Sequence, residues 1–505
     1  MELIIAELSR YIIVILFALY TFYSYRAFIG RAAGNNEGVF RAQRVLIVML
    51  HLVCSAVILV EEKEIKYVVL WALELFFFLF FTKIYQVFYK GMSKLIWNNM
   101  MICMMIGFIM LGRLSYDYAI RQLVMASLAL GVCLLVPLFI ERFTIWEKIG
   151  WQYALAGVLL LLLVFVIGVE KYGARNWISI GGFELQPSEF VKIIYVFFIA
   201  SLLAKRTDFK SVAVISIAAA VHVGILVLEK DLGAALIYFV TYLMMLYVAT
   251  MKLRYLAAGA FAGTAASVVA YQLFAHVRVR VQTWLHPFAD FYGKGNQIGN
   301  SLFGIGTGGW FGQGLYKGQP SKTPEVIMDC IFTAVCEELG GIIGICLILI
   351  CIACLLMFIA VAAELYLPFY KLIGIGLTAI YGTQVFLTIG GGIKFIPLTG
   401  VTLPLVSYGG SSMFSTVLML SIIQGLYILR EDEGEELEKR RNKKKRNQQK
   451  NDPGAKKKRR PDEETERRKK SGGRNDGQGT RQKYREQPDE FERRIEEQTE
   501  NSLHW

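Results

Sequence analysis

Thirteen apolar windows, each near the ~20 residues that a helix needs to cross a bilayer, constrain this chain more than any other feature. They run at about 4–24, 45–61, 67–88, 97–112, 119–140, 150–169, 187–204, 211–228, 232–250, 255–275, 328–363, 372–392 and 405–429. The fourth and eighth are the weakest of them. Backbone in hydrocarbon must satisfy its own hydrogen bonds, which a helix does. The sequence therefore predicts an all-α polytopic integral membrane protein with about thirteen transmembrane helices. Its 55% hydrophobic and 13% aromatic content over 505 residues fits that class.

Charge between the windows orients them. Alternate short connections carry fifteen basic residues: Arg26, Arg31, Arg41 and Arg44; Lys83, Lys90 and Lys94; Arg142 and Lys148; Lys205, Arg206 and Lys210; Lys252 and Arg254; and Lys371. The opposite short connections carry eight. Basic loops stay in the cytoplasm, so the N-terminus is expected outside and the C-terminus inside. An odd number of crossings is required, and thirteen satisfies it. The first apolar run lacks a small-residue cleavage pattern and reads as a retained helix.

The net charge of +13 is unevenly spread. Residues 431–505 hold 23 Lys/Arg against 19 Asp/Glu and few apolar residues, a pattern expected to stay disordered. Between Lys439 and Arg460, 13 basic residues surround the single acid Asp452. That cluster reads as a solvated topology signal, or as a site for anionic lipid or a cytoplasmic partner. No folded module or aromatic interleaving points to nucleic acid. The chain thus divides into three N-terminal helices (1–90), a ten-helix module (97–429) with a long loop (276–327), and a charged tail (430–505).

The eight cysteines lie almost all in apolar runs, which is neither a disulfide framework nor a metal site; Cys351 and Cys354 have CxxC spacing but sit mid-membrane and read as packing. There is no Walker A loop, zinc motif or Ser-His-Asp arrangement. The glycines at 304–314 follow no predicted strand, so they are not a dinucleotide site.

Several polar residues stand at membrane boundaries instead. Glu189 and Lys192 share a helix face behind Pro187 and can pair, as a brace or as a substrate-orienting unit. Asp231 begins a helix in "EKDLGAALI", as a cap or as a functional acid. The stretch "IPLTGVTLPLVSYGGSS" (396–412) breaks a helix at membrane depth, which is tolerated only inside protein or beside a wet cavity. Asp329 enters an intensely apolar run, and a carboxylate there costs about 2.5–3.5 kcal/mol on insertion scales. Pro324 allows a helix to begin nearby, whose dipole would hold an acid in its first turn ionised. Asp231, Asp329, Glu189, Arg175 and Ser407 all map to the outer ends of helices. The loop 276–327, with Trp284, Trp310 and Tyr316 among glycines, is expected to be ordered on the membrane surface. The external face offers no ATP, so a reaction there needs a substrate carrying its own activation, such as a lipid-linked pyrophosphate sugar.

The segments "GARNWISIGGFELQPSEFVK", "DLGAALI", "MDCIFTAVCEELGG" and "PLTGVTLPLVSYGGSS" together resemble the SEDS family of bacterial envelope proteins, the RodA/FtsW/SpoVE group, over about residues 97–429. The resemblance implies a peptidoglycan glycosyltransferase of the bacterial cytoplasmic membrane. Such an enzyme polymerises lipid II and works with a class B penicillin-binding protein. It matches Asp329 to the family's essential acid, and Glu189 and Lys192 to its Glu and Lys. The chain departs from the family at Ile327 and Met328, where a histidine-threonine-like pair is common, and at Glu229 and Lys230, where Gln-Pro is common.

In this reading Asp329 is the general base for the attacking sugar hydroxyl, with Asp231 or Glu189 as a possible partner acid. Arg175, Arg278, Arg280 and Lys394 are candidate phosphate contacts, and Ser407 a further candidate for the substrate. The sequence assigns no cofactor with certainty. A divalent cation could share the phosphate role, though the sequence shows no ligand set for it. The alternatives are a lipid-linked-sugar flippase, which broken helices and intramembrane charges suit equally, and a non-catalytic scaffold that activates a partner transpeptidase.

Overall fold

The computed structural model describes residues 2–30, 36–142, 145–171, 174–180 and 183–451, the side chains of 2–6, 141, 145, 171, 174–175, 180, 183 and 431–451 excepted. Three helices come first: α1 (Glu2–Ile29), α2 (Glu37–Glu62) and α3 (Ile65–Phe88). Then follow α4 (Lys94–Leu114), α5 (Tyr116–Cys133), α6 (Val136–Arg142), α7 (Gly150–Ile167), α8 (Pro187–Leu203), α9 (Phe209–Leu228), α10 (Leu232–Thr250) and α11 (Leu253–Leu273). The chain continues through α12 (Ala275–Leu285), α13 (Asn296–Gly308), α14 (Ile331–Leu339), α15 (Gly341–Glu364), α16 (Pro368–Gly392) and α17 (Gly410–Asn451).

Among the described residues, twelve helices are long and apolar enough to cross a membrane. The remaining expected crossing is α8, which at 17 residues is slightly shorter and still largely buried. Local chemistry sets several boundaries. Pro187 opens α8 at a position where no backbone donor is needed. Ser93 caps α4 by accepting from Ile96 N, and Asp231 caps α10 by accepting from Ala234 N at 3.0 Å.

The core runs along α4, every residue of whose spanning window is buried. It packs against α1, α2, α3, α5, α14 and α15. The N-terminal helices are therefore built into the bundle, and α1 also lies along α15.

Four expectations change. The window 328–363 is not one helix: Gly340, at φ +103°, separates α14 from α15, and a Cβ there would stand 2.4 Å from Gly312 N. A small antiparallel sheet of β1 (Val169–Lys171), β2 (Ala174–Ile180) and β3 (Phe183–Leu185) stands outside the all-α expectation. The loop 276–327 is ordered and carries two helices, α12 and α13, where the sequence reads as loop throughout. Finally, α17 continues as helix through the charged residues to Asn451, where disorder was expected. Residues 452–505, with the rest of the basic cluster, lie outside the described residues.

Candidate active site

The breaks in the helices collect at one end of the bundle. Residues 393–409 leave helical form between α16 and α17, and side chains satisfy their carbonyls, as irregular backbone at membrane depth requires. Arg280 Nη1 donates to Thr399 O at 3.0 Å, Thr388 Oγ1 to Val401 O at 2.9 Å, and Gln384 Nε2 to Thr402 O at 3.1 Å.

Against this loop lies the turn from Pro324 to Cys330. Tyr408 N donates to Ile327 O at 2.8 Å, and the Ser407 hydroxyl donates to Met328 O while accepting from Leu403 N at 2.8 Å. Ser407 is 4% exposed. It is a tie between two loops, and the structure does not open it to a substrate as the sequence reading supposed.

The next residue is Asp329, 8% exposed. It lies before α14 rather than in its first turn, so the expectation of a dipole-stabilised, fully ionised acid is corrected. Burial pushes its carboxyl up to about 7, with Glu325 adding to the rise, while its own backbone amide, Gln297 and Arg280 oppose it. Gln297 Nε2, from α13, donates to Asp329 Oδ1 at 3.0 Å. The other oxygen, Oδ2, faces Gly400, where an added Cβ would stand 4.0 Å away. Gly400 has φ +75°, so a side chain there is strained although the space beside Asp329 would admit a Cβ.

Arg280 is the cation of this recess. Burial draws its guanidinium pKa down, while Asp231 and Asp329 hold it up. Asp231 is occupied as a cap and also accepts from Asn176 Nδ2 at 2.8 Å and Gln186 Nε2 at 2.9 Å. With three donors engaged, it ties β2 and the start of α8 to α10. Beside it Glu229 is 1% exposed, neither carboxylate oxygen has a hydrogen-bond partner among the described residues, and its carboxyl is pushed up to about 8, chiefly by burial.

Glu189 and Lys192 pair at 2.6 Å as their spacing implies. Ser415 donates to Glu189 Oε2 at 2.6 Å, and Lys192 donates to Gln384 Oε1 at 3.1 Å. The pair thus joins α8 to α16 and α17 beneath the broken loop. The other candidates scatter: Arg278 is exposed on α12, and Lys394 is half-buried, its carbonyl accepting from Trp284 Nε1 at 3.0 Å. The side chain of Arg175 lies outside the described residues. Among the described residues, no group of three or more His, Cys, Asp or Glu is placed to hold a metal ion.

Sequence reasoning missed Gln297 and the role of Gly400. A glutamine and a glycine carry no charge or periodicity signal, and only the fold brings them to Asp329.

The fold and site define a polytopic membrane protein with a buried, titratable acid, Asp329, beside a cation, Arg280. The family model for the cell cycle proteins FtsW, RodA and SpoVE matches residues 93–431, and the chain belongs to that family. The peptidoglycan glycosyltransferase RodA of Mycobacterium tuberculosis is 36% identical over 333 residues, covering 62% of this chain and 71% of the relative. Stage V sporulation protein E of Bacillus subtilis is 31% identical over 320 residues, covering 61% and 86%. A solved chain described under structural coordination of polymerization and crosslinking by a peptidoglycan synthase complex aligns with a TM-score of 0.58 at 26% identity, covering 67% of this chain and 98% of that one. Helices α1–α3 precede the family match.

Proposed function

We propose that this protein is a peptidoglycan glycosyltransferase that polymerises lipid II, with Asp329 as its general base. The observation that carries the reading is a carboxylate 8% exposed, held by Gln297 at 3.0 Å and facing Arg280, in a chain of this family. A carboxyl near pH 7 is poised to take a proton at neutral pH and release it afterwards.

In the reaction, the 4-hydroxyl oxygen of one sugar bonds to the anomeric carbon of another. The bond from that carbon to the pyrophosphate oxygen breaks, and undecaprenyl pyrophosphate leaves with the bonding pair. Asp329 accepts the hydroxyl proton as the new bond forms. Arg280 supplies positive charge toward the departing pyrophosphate.

The charge asymmetry of the loops supports a bacterial cytoplasmic-membrane protein with its N-terminus outside and its C-terminus in the cytoplasm. That orientation turns the Asp329 recess outward. The related synthase complex supports a class B penicillin-binding protein as partner.

The test is purified protein incubated with lipid II, with and without the partner transpeptidase. Glycan strands are expected. Movement of lipid II across vesicles without polymer would replace this reading with a flippase, and polymer made only by a partner's own glycosyltransferase would leave a scaffold.

A further inference from the structure

Besides packing directly on α14 and α15 through α1, the three helices that precede the family match reach the active-site end of the bundle through a strap. Residues 309–319 cross from α13 toward α14 and are held on both sides. On the inner side, Gln313 N donates to Glu337 O and Gly314 N to Glu338 O, each at 2.9 Å, and Gln319 N donates to Glu337 Oε1 at 2.6 Å. Both glutamates belong to α14, the helix that Asp329 leads into.

On the outer side, the partners come from the N-terminal helices. Tyr316 OH donates to Glu62 Oε1 at 2.9 Å, Lys317 pairs with Glu61 at 3.2 Å, and Arg10 Nη1 donates to Gly312 O at 3.2 Å. Tyr316 has φ +69°, a backbone conformation that a non-glycine residue holds only where its surroundings fix it. Its ring lies 4.2 Å from the Arg113 guanidinium carbon, and Arg113 pairs at 3.0 Å with Glu338, whose side chain is fully buried. A continuous path therefore runs from Glu62 through Tyr316 and Arg113 to Glu338, and along α14 to the Asp329 turn.

We propose that the α2–α3 turn is a positioning element for the reaction: Glu62, through Tyr316, fixes the strap and thereby the placement of α14 and Asp329. This rests on the polymerase reading above. The surface pair Lys317–Glu61 contributes little by itself, so Glu62 and Tyr316 carry the effect. Neither residue touches the Asp329 recess. They set where the acid stands, and small misplacements of a reacting group are costly in rate.

The test uses full-length protein with its transpeptidase partner and two variants, Glu62→Ala and Tyr316→Phe, the second losing only a hydroxyl. Two readouts are taken: lipid II polymerisation kinetics, and amide hydrogen exchange across residues 309–330. Both variants are expected to exchange faster in that segment, and to lose kcat by about tenfold or more with KM little changed. Glu62→Gln, which keeps an acceptor for the tyrosine hydroxyl, is expected to restore both. Unchanged exchange and kcat in Tyr316→Phe would overturn the proposal. Faster exchange in a chain whose wild type makes no polymer would overturn the polymerase reading and leave the strap standing.

Discussion

Gln297 donates from Nε2 to Asp329 Oδ1 at 3.0 Å and so favours the ionised carboxylate against the burial that disfavours it. Gln297→Met keeps the volume and deletes the donor. The midpoint of polymerisation rate against pH should then move up from near 7 by about one pH unit, with the limiting rate at high pH close to wild type. Rates measured between about pH 6 and 9 check this. An unmoved midpoint would detach Gln297 from the acid's electrostatics.

Asp329→Asn preserves shape and hydrogen bonding but removes basicity. The variant should insert and bind its partner normally, yet polymerise lipid II slower by orders of magnitude. Its stability carries a second signature. The wild-type carboxyl titrates higher in the folded protein, about 7, than its ordinary 3.8. Its contribution is therefore fully present below pH 3.8 and is lost as pH rises through 7. The asparagine variant lacks that loss. Its melting temperature in detergent should gain on wild type between those values and hold a constant lead above them. Normal polymer from this variant would refute the general-base role.

How much of this was legible beforehand depends on what each feature rests on. Apolar windows are long and self-averaging, so the helices fall where hydropathy puts them. Gly340 breaks the apolar window just past Glu337 and Glu338, and a Cβ there would collide with the strap's backbone; hydropathy is blind to that contact. The Glu189–Lys192 pair was readable because its partners lie one helical turn apart. Gln297 and Asp329 lie 32 residues apart and Arg280 and Thr399 lie 119 apart, and no local pattern encodes such meetings. Ser407 drew attention for the right place and the wrong reason: its motif marks the broken loop, but its hydroxyl is spent on Met328 and Leu403.

The membrane orientation can be read with single cysteines in a cysteine-free background. Leu315 is only 3% exposed and is a poor reporter for the long loop, whereas Tyr292 is 94% exposed and Phe209, in the opposite set of basic loops, is 74% exposed. Tyr292→Cys should react with an impermeant thiol reagent in intact cells, and Phe209→Cys only after lysis. Equal labelling of the two before lysis would contradict the assignment.

The Glu189–Lys192 pair is buried, with side chains 13% and 3% exposed, so each charge depends on the other. Glu189→Gln or Lys192→Met alone should cost on the order of 3–5 kcal/mol, because the remaining charge is left in an apolar setting. Replacing both by well-packed apolar residues should cost less than the two single changes together, by about 0.5–3 kcal/mol of coupling. Recovery will stop short of wild type, since the Gln384 carbonyl oxygen loses Lys192 and the Ser415 hydroxyl keeps only Ser412 O. A double-mutant cycle by thermal or denaturant unfolding in detergent measures the coupling, and simple additivity would show that the two do not act as a unit. Activity then separates brace from substrate contact. Polymerisation that returns along with stability makes the pair a tie between α8, α16 and α17; stability that returns without polymerisation means that its charges act on the substrate.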